Sequence, residues 1–142
     1  MTLVGISAAA EKAGVSERAL RYYQQLGLIA PACTSGGFRR YADHDLARVA
    51  RIRELQSVLG LELDEIADFL KHEDRVREIR AAYFDAETTD LRRAELLRES
   101  LALHSELRES VLARRLSLDS FLIDLDNRIA HIDDLLNQAG TR

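Results

Sequence analysis

Residues 13–41, AGVSERALRYYQQLGLIAPACTSGGFRRY, decide the fold because turn, helix and hairpin signals follow one another within 29 residues. Gly14 predicts a turn, and Ser16 two residues later is a hydroxyl N-cap for a new helix. This helix, which we call the reader helix, is predicted over residues 16–26. Pro31 stops any continuation. A short helix before the turn would complete a helix-turn-helix.

The two helices are predicted to pack against each other. The first covers residues 6–13, with Ser7 as its N-cap and small apolar residues on one face. Residues of the reader helix spaced by three and four form its expected core face: Ala19, Leu20, Tyr23 and Leu26. The remaining face is charged and aromatic, and it would point outward: Arg18, Arg21 and Tyr22.

A hairpin, which we call the wing, follows the reader helix. Gly36 and Gly37 supply the positive φ angles of a two-residue turn between two short strands. Phe38 and Tyr41 are expected to anchor the returning strand against the helices. A third helix over residues 43–59 and a fourth over residues 63–70, separated by Gly60, continue the domain with these inward residues: Leu46, Val49, Ile52, Leu55, Leu59, Leu63, Ile66, Ala67 and Leu70.

The arginines of this region suit DNA recognition. An arginine fork bonds a guanine edge bidentately or clamps a phosphate. Residues three apart share a helical face, so Arg18 and Arg21 can reach one groove while Ser16 bonds a phosphate. The alternative is a solvated basic surface without a partner. The expected DNA-binding residues are Ser16, Arg18, Arg21, Tyr22, Gly37, Arg39 and Arg40.

The pattern G-V-S-x-R-x-L-R-Y-Y, then G-L, then a glycine turn with an aromatic-R-R-Y wing resembles the N-terminal signature of the MerR family of transcription regulators. The resemblance covers residues 3–71. It implies a winged-helix regulator that binds a palindrome as a homodimer, bending and untwisting a promoter with an overlong spacer for RNA polymerase. The hydroxyl caps usual in this family are replaced by Ala42 and Glu62, so the third and fourth helices would depend on acidic residues.

A long helix is predicted over residues 91–136, which contain no proline or glycine. Apolar residues recur there at heptad spacing, although Arg108 and Arg115 interrupt the seam. A neighbouring stripe takes over in that part: Leu96, Leu103, Leu107, Leu112 and Leu116. So wide an apolar face needs a partner helix, and the resemblance implies an antiparallel coiled coil with a second copy. The expected dimerisation residues are Leu97, Leu101, His104, Val111, Leu118, Leu122, Leu125, Ile129 and Ile132.

The fold class is therefore mainly α, a winged helix-turn-helix DNA-binding domain followed by a long coiled-coil dimerisation helix. The expected domains are residues 1–71, a linker helix and turn at 72–90, and the dimerisation helix at 91–142. Charge agrees with this division despite a total of −4. Residues 1–60 hold 8 Lys/Arg and 5 Asp/Glu, a net +3, whereas residues 61–142 hold 12 and 19, a net −7. The basic part is the part that would meet phosphate.

Cysteine and histidine give little support to sensing chemistry. Cys33 is the only cysteine, so an internal disulfide is excluded, and a redox role for it is less favoured than none. The resemblance implies cysteine clusters in metal and iron–sulfur sensors, and this chain has none. His44, His72 and His131 fit surface positions. His104 lies on the seam, where fixing the helix register is favoured over metal binding or pH sensing. No cofactor or metal is expected.

The sequence bears on three classes of function. The favoured one is a cytoplasmic DNA-binding regulator, since the chain opens with no signal segment and has no apolar run of membrane length. Its effector, a small molecule if there is one, would bind near the linker or the coil. The alternative is a coiled-coil architectural or interaction protein that binds DNA without specificity. An enzyme is disfavoured, because no cluster of nucleophile, base and oxyanion donors is present.

Overall fold

A computed structural model of the chain describes residues 2–141. It confirms the mainly helical fold, with the following elements: α1 Ile6–Ala13, α2 Glu17–Gln25, β1 Ala32–Cys33, β2 Arg39–Arg40, α3 Asp43–Leu59, α4 Leu63–Tyr83 and α5 Asp90–Gly140. The chain divides into two compact units, one ending at Arg77 and the other beginning at Glu78, so α4 belongs to both.

The helix-turn-helix is formed by α1 and α2. Gly14 ends α1 in the left-handed region with φ 67°, and its carbonyl accepts a hydrogen bond of 2.9 Å from the Arg53 guanidinium of α3. The Ser16 hydroxyl oxygen accepts from the Ala19 N–H at 3.0 Å, which confirms Ser16 as the N-cap of the reader helix α2. Both ends of the turn are therefore fixed by hydrogen bonds.

The predicted N-cap of α1 at Ser7 is wrong. The helix begins at Ile6, with Gly5 as an N-cap that makes no side-chain bond. Val4 is the reason: its N–H and carbonyl pair with those of Tyr41 at 3.0 and 2.8 Å, so the chain leaves this bridge directly into the helix. Ser7 consequently lies in the first turn.

The core of the first unit surrounds Leu20 and Tyr23 of α2, which are both buried. Leu26 was expected there but is 44% exposed, because α2 ends at Gln25 and Leu26 is its C-cap. Leu28 and Ile29 are buried instead. Residues from every helix of this unit complete the cluster: Ala9, Ala10, Tyr41, Val49, Ile52, Leu55, Ile66 and Leu70.

The wing differs from the two-residue hairpin predicted for Gly36 and Gly37. Strands β1 and β2 are antiparallel, and the Thr34 N–H still bonds the Phe38 carbonyl at 2.8 Å, which leaves a three-residue loop. Of the two glycines in this loop, Gly37 alone has a positive φ, 80°, because a three-residue loop needs a single left-handed residue before the second strand. Phe38 is also not an anchor, since it is 71% exposed, whereas Tyr41 is fully buried as predicted.

Helices α3 and α4 are joined by ion pairs as well as by the core. The Arg48 guanidinium donates to both carboxylate oxygens of Asp74, at 2.8 and 3.0 Å, and Arg51 bonds Glu73. These acidic residues lie beyond residue 70, where the fourth helix was predicted to end. That prediction is wrong, because α4 continues to Tyr83. The sequence from 71 to 83 contains no helix breaker.

The second unit begins with the last turns of α4 and continues through a short connection into α5, which confirms the long helix. Thr89 caps α5 by accepting from the Arg92 N–H at 3.2 Å. Arg93 donates to the carbonyls of Tyr83 and Asp85, both at 3.0 Å, and so satisfies the end of α4. Leu96 is buried in this unit.

Candidate nucleic-acid interface

The outer face of the reader helix carries the residues predicted for it. Arg18, Arg21 and Tyr22 are all exposed, and together with Ser16 and Gln25 they line one shallow groove of about 510 Å³. The Ser16 hydroxyl accepts a bond as the helix cap, yet its own hydrogen stays available to a phosphate. Neutral and positive donors therefore share this face.

A second groove, of about 590 Å³, runs between the reader helix and the wing. Arg21 and Gln24 line it from α2, and Gly37, Arg39 and Arg40 line it from the wing. The structure thus brings together all seven predicted DNA-binding residues along two grooves that meet at Arg21, with Ser16, Arg18 and Tyr22 in the first groove and Gly37, Arg39 and Arg40 in the second. Their exposure and charge suit a phosphate backbone.

Gln24 and Gln25 are site residues that the sequence analysis missed. With its amide oxygen turned towards the wing, Gln24 accepts from Arg39 Nε at 2.9 Å and from Nη2 at 3.1 Å. Gln25 lines both grooves. Their positions could have indicated this role, because residues three and four after Arg21 lie on the same helical face as Arg21.

The electrostatics of the site are dominated by arginine. Arg21 has one acidic neighbour, Glu17, at 3.5 Å, and its side chain remains 65% exposed. Two further carboxylates lie at the far edge, where Glu62 and Asp64 share a concave surface with Tyr22. The start of α4, the helix that follows Glu62, is acidic as well. The Glu65 carboxylate accepts a hydrogen bond of 2.9 Å from the Glu62 N–H. A bound DNA would meet mainly positive charge, with negative charge at Glu17 and at this edge.

Tyr41 lies beneath the groove between helix and wing. Its side chain is fully buried, and its hydroxyl has no hydrogen-bond partner among residues 2–141. Burial raises the pKa of this phenol, and the nearby charges of Arg39 and Arg21 oppose the shift without cancelling it. The ring therefore serves the core, and the phenol stays neutral well above neutral pH.

The predicted dimerisation residues form an exposed stripe along α5. The exposed fraction is 53% for Leu97 and 64% for Leu136 at its two ends. His104 is exposed as well, and its Nδ1 lies 2.8 Å from the Ser100 carbonyl oxygen. Between these ends the other apolar residues predicted for dimerisation are exposed too: Leu101, Val111, Leu118, Leu122, Leu125, Ile129 and Ile132. Four further apolar residues are exposed off this stripe: Leu116, Phe121, Ile123 and Leu135. The neighbouring stripe is covered only in part, since Leu96 is buried but Leu116 is 55% exposed.

Residues associated with sensing are scattered in the part of the chain that the structure describes. Cys33 is exposed on β1, opposite Arg39. Among residues 2–141, no group of three or more histidine, cysteine, aspartate and glutamate side chains is arranged to hold a metal ion. None of the described helices is both long and apolar enough to span a bilayer.

Comparison with known proteins agrees with this geometry. The profile of the MerR HTH family regulatory proteins matches residues 5–73. HspR of Streptomyces coelicolor is 30% identical over 112 residues, 75% of this chain and 71% of that protein. The chain belongs to the MerR family. Its first unit is a MerR-type DNA-binding domain of the kind found in transcription regulators.

Two further MerR-type proteins show how far the similarity extends. The HTH-type transcriptional regulator YfmP of Bacillus subtilis is 33% identical over 72 residues, 50% of this chain and 51% of YfmP. The chain thus spans about half the length of that relative. A MerR family transcriptional regulator from Listeria monocytogenes has a similar solved structure, with 27% identity and a TM-score of 0.50 over 95% of this chain and 92% of that one.

Proposed function

We propose that this chain is a homodimeric, sequence-specific transcription regulator that recognises a palindromic promoter site. The observation that carries the proposal is the pair of grooves meeting at Arg21, which presents reader-helix and wing donors on one surface. The reader helix would enter the major groove, with Arg18 and Arg21 at base edges. Arg39, Arg40 and the Gly37 backbone would hold the flanking phosphates.

Dimerisation follows from the exposed stripe of α5. An exposed stripe of leucine, isoleucine and valine at heptad spacing, interrupted at His104, Arg108 and Arg115, is typical of a coiled coil and costs free energy when left in water. A second copy covers it and gives the assembly two reader helices related by a two-fold axis. Inverted DNA half-sites match that symmetry. On this division, residues 1–71 bind DNA, residues 72–90 link, and residues 91–142 dimerise.

We further infer that the dimer acts on promoter shape. Bending and untwisting DNA costs on the order of 1–10 kcal/mol, and the contacts of two winged domains offset that cost. A promoter with an overlong spacer would then become usable by RNA polymerase. An effector, if one binds, would change the relation between the two DNA-binding domains. Such a protein works in the cytoplasm and has no catalytic role.

Selection of bound fragments from genomic DNA tests the proposal. We expect an inverted repeat with a fixed spacing, protected by the purified dimer. Competition with unrelated DNA should leave operator binding at least 10³-fold tighter at physiological salt. A steep salt dependence with equal affinity for all sequences would instead support the architectural protein, whose DNA binding is unspecific.

A further inference from the structure

Phe38 of the wing leaves an aromatic ring in water. The residue is 71% exposed, whereas the other phenylalanine and tyrosine residues of the first unit are 49% exposed at most. A ring in that position costs free energy until a partner covers it. Its neighbours in sequence are the DNA-facing residues Gly37 and Arg39, so the partner that this ring meets first is the one that those residues bind.

The backbone of the wing holds Phe38 in a fixed place. Its N–H donates to the Thr34 hydroxyl at 3.2 Å, and its carbonyl accepts from the Thr34 N–H at 2.8 Å. The next residue, Arg39, is bonded to Gln24 of the reader helix. The position of Phe38 relative to the reader helix is therefore set before DNA arrives, which lowers the entropy cost of a contact.

The order of the grooves on DNA indicates what the ring meets. With the reader helix in the major groove, the protein groove of about 590 Å³ would lie over one sugar-phosphate backbone, between Arg21 on the helix and Arg39 and Arg40 on the wing. Phe38 lines this groove from the wing. Beyond that backbone comes the minor groove, because the two grooves of B-DNA alternate across each strand. The ring is thus carried to the minor groove.

We propose that Phe38 reads the minor groove beside each half-site, with its ring against the deoxyribose walls and a preference for A·T pairs. A-tracts have a narrow minor groove, so both walls can contact one ring. A·T pairs also lack the guanine amino group, which would project from the groove floor towards the ring. The narrow groove attracts arginine as well, and Arg39 and Arg40 adjoin the ring.

The ring lies along the groove walls and is not inserted between base pairs. Unstacking a base step costs about as much as the burial of one ring returns, so insertion would gain little. The wing is also a hairpin of only two residues per strand, which is a weak support for a wedge. The preference is therefore for groove shape, at positions where no donor reads a base edge.

This inference rests on the proposed function and adds a determinant of its sequence preference. Hydroxyl-radical footprinting of the full chain on the selected inverted repeat locates the contact, because the radical attacks deoxyribose in the minor groove. We expect protected sugars beside each half-site. Phe38→Ala should lose this protection and keep the protection of the half-sites themselves.

Base replacement within the protected stretch tests the preference. The unmodified chain should bind an A·T flank about tenfold tighter than a G·C flank. Inosine·cytosine pairs give the sharper test, because inosine lacks the minor-groove amino group of guanine and keeps its major-groove edge. An inosine·cytosine flank should therefore be bound like the A·T flank.

Variants of the chain assign the preference to the ring. Phe38→Ala should bind the three flanks with affinities equal to within about twofold, and Phe38→Tyr should keep the preference. Val58→Ala is the matched control, since Val58 is also 71% exposed but lines neither DNA-facing groove. An inosine·cytosine flank bound like G·C, or a preference that survives in Phe38→Ala, would overturn the inference while operator binding stands. A chain that binds the inverted repeat no tighter than unrelated DNA would remove the proposed function as well.

Discussion

Arg39 of the wing is bonded to Gln24 of the reader helix, through contacts of 2.9 and 3.1 Å to one amide oxygen. The wing is otherwise a hairpin of two residues per strand, and an isolated hairpin of that size is not stable in water. The amide contact therefore links the two elements that would touch DNA.

Replacing Gln24 with alanine should loosen the wing without unfolding the domain. We expect operator affinity to fall by about 0.5–1.5 kcal/mol, the usual contribution of one hydrogen bond. The free energy of unfolding should change little, because Gln24 lies at the edge of the core. Affinity is measured by fluorescence anisotropy on labelled operator, and stability by urea denaturation. Equal losses of affinity and stability would show a general structural defect instead.

Loss of either reader-helix arginine should reduce specific binding. Arg18→Ala and Arg21→Ala are each expected to cost about 1–3 kcal/mol on the operator if the side chain contacts a base. Binding to unrelated DNA should fall less, so the ratio of specific to unspecific affinity narrows. Arg98→Ala removes the same charge from an exposed position on α5 and is the matched control. Unchanged operator binding in both reader-helix variants would rule out α2 as the reader.

Local signals explain what the sequence predicted well in this region. Ser16 caps α2 through an atom three residues away, and Gly14 adopts a conformation that its own lack of a side chain permits. Neither depends on distant parts of the chain. The exposed heptad stripe of α5 was likewise visible, because its period is a property of one helix.

The features that were missed depend on contacts distant in sequence. Leu26 and Phe38 are apolar and fit a core pattern, but the core was already filled by Leu28, Ile29 and Tyr41. The extra length of α4 is tied to α3 by Asp74, a partner 26 residues from Arg48. Gln24 became a site residue only when the wing folded back onto the helix.

Asp45 should matter more than its neighbours for the stability of α3. It is buried, and its carboxylate accepts from the Ala42 N–H at 2.9 Å where a hydroxyl cap is missing. Asp45→Ala is expected to lower the free energy of unfolding by about 0.5–2 kcal/mol, as measured by chemical denaturation. Asp43→Ala in the same turn is the control, because Asp43 is exposed and interacts only with the helix dipole. Similar losses in both variants would argue against the cap.

The ion pair of Arg48 and Asp74 should stabilise the contact of α3 with α4. The pair is bidentate and partly shielded, so Asp74→Ala is expected to cost about 1–3 kcal/mol. Arg48→Ala should cost more, since Arg48 also donates to the Leu28 carbonyl. Asp68→Ala, at an exposed position of α4, controls for helix propensity. A double-mutant cycle with a coupling energy near zero would show that the two side chains act independently.

Tyr41 should make the domain sensitive to alkaline pH. Burial raises its pKa in the folded chain above the unfolded value of about 10, so the unfolded chain loses this proton first as pH rises. Stability from this group is thus complete below pH 10 and declines above it. Tyr41→Phe should lose less stability between pH 9 and pH 11 than the unmodified chain, by roughly 1 kcal/mol.

The same variant should be at least as stable at neutral pH, because the hydroxyl it removes is buried without a partner. Tyr22→Phe is the matched control: Tyr22 is 49% exposed, so its removal should leave the alkaline decline intact. Urea denaturation at each pH measures both effects. A Tyr41→Phe chain that is clearly less stable at pH 7 would mean that the hydroxyl has a bonding partner in solution, and the alkaline difference would then need another cause.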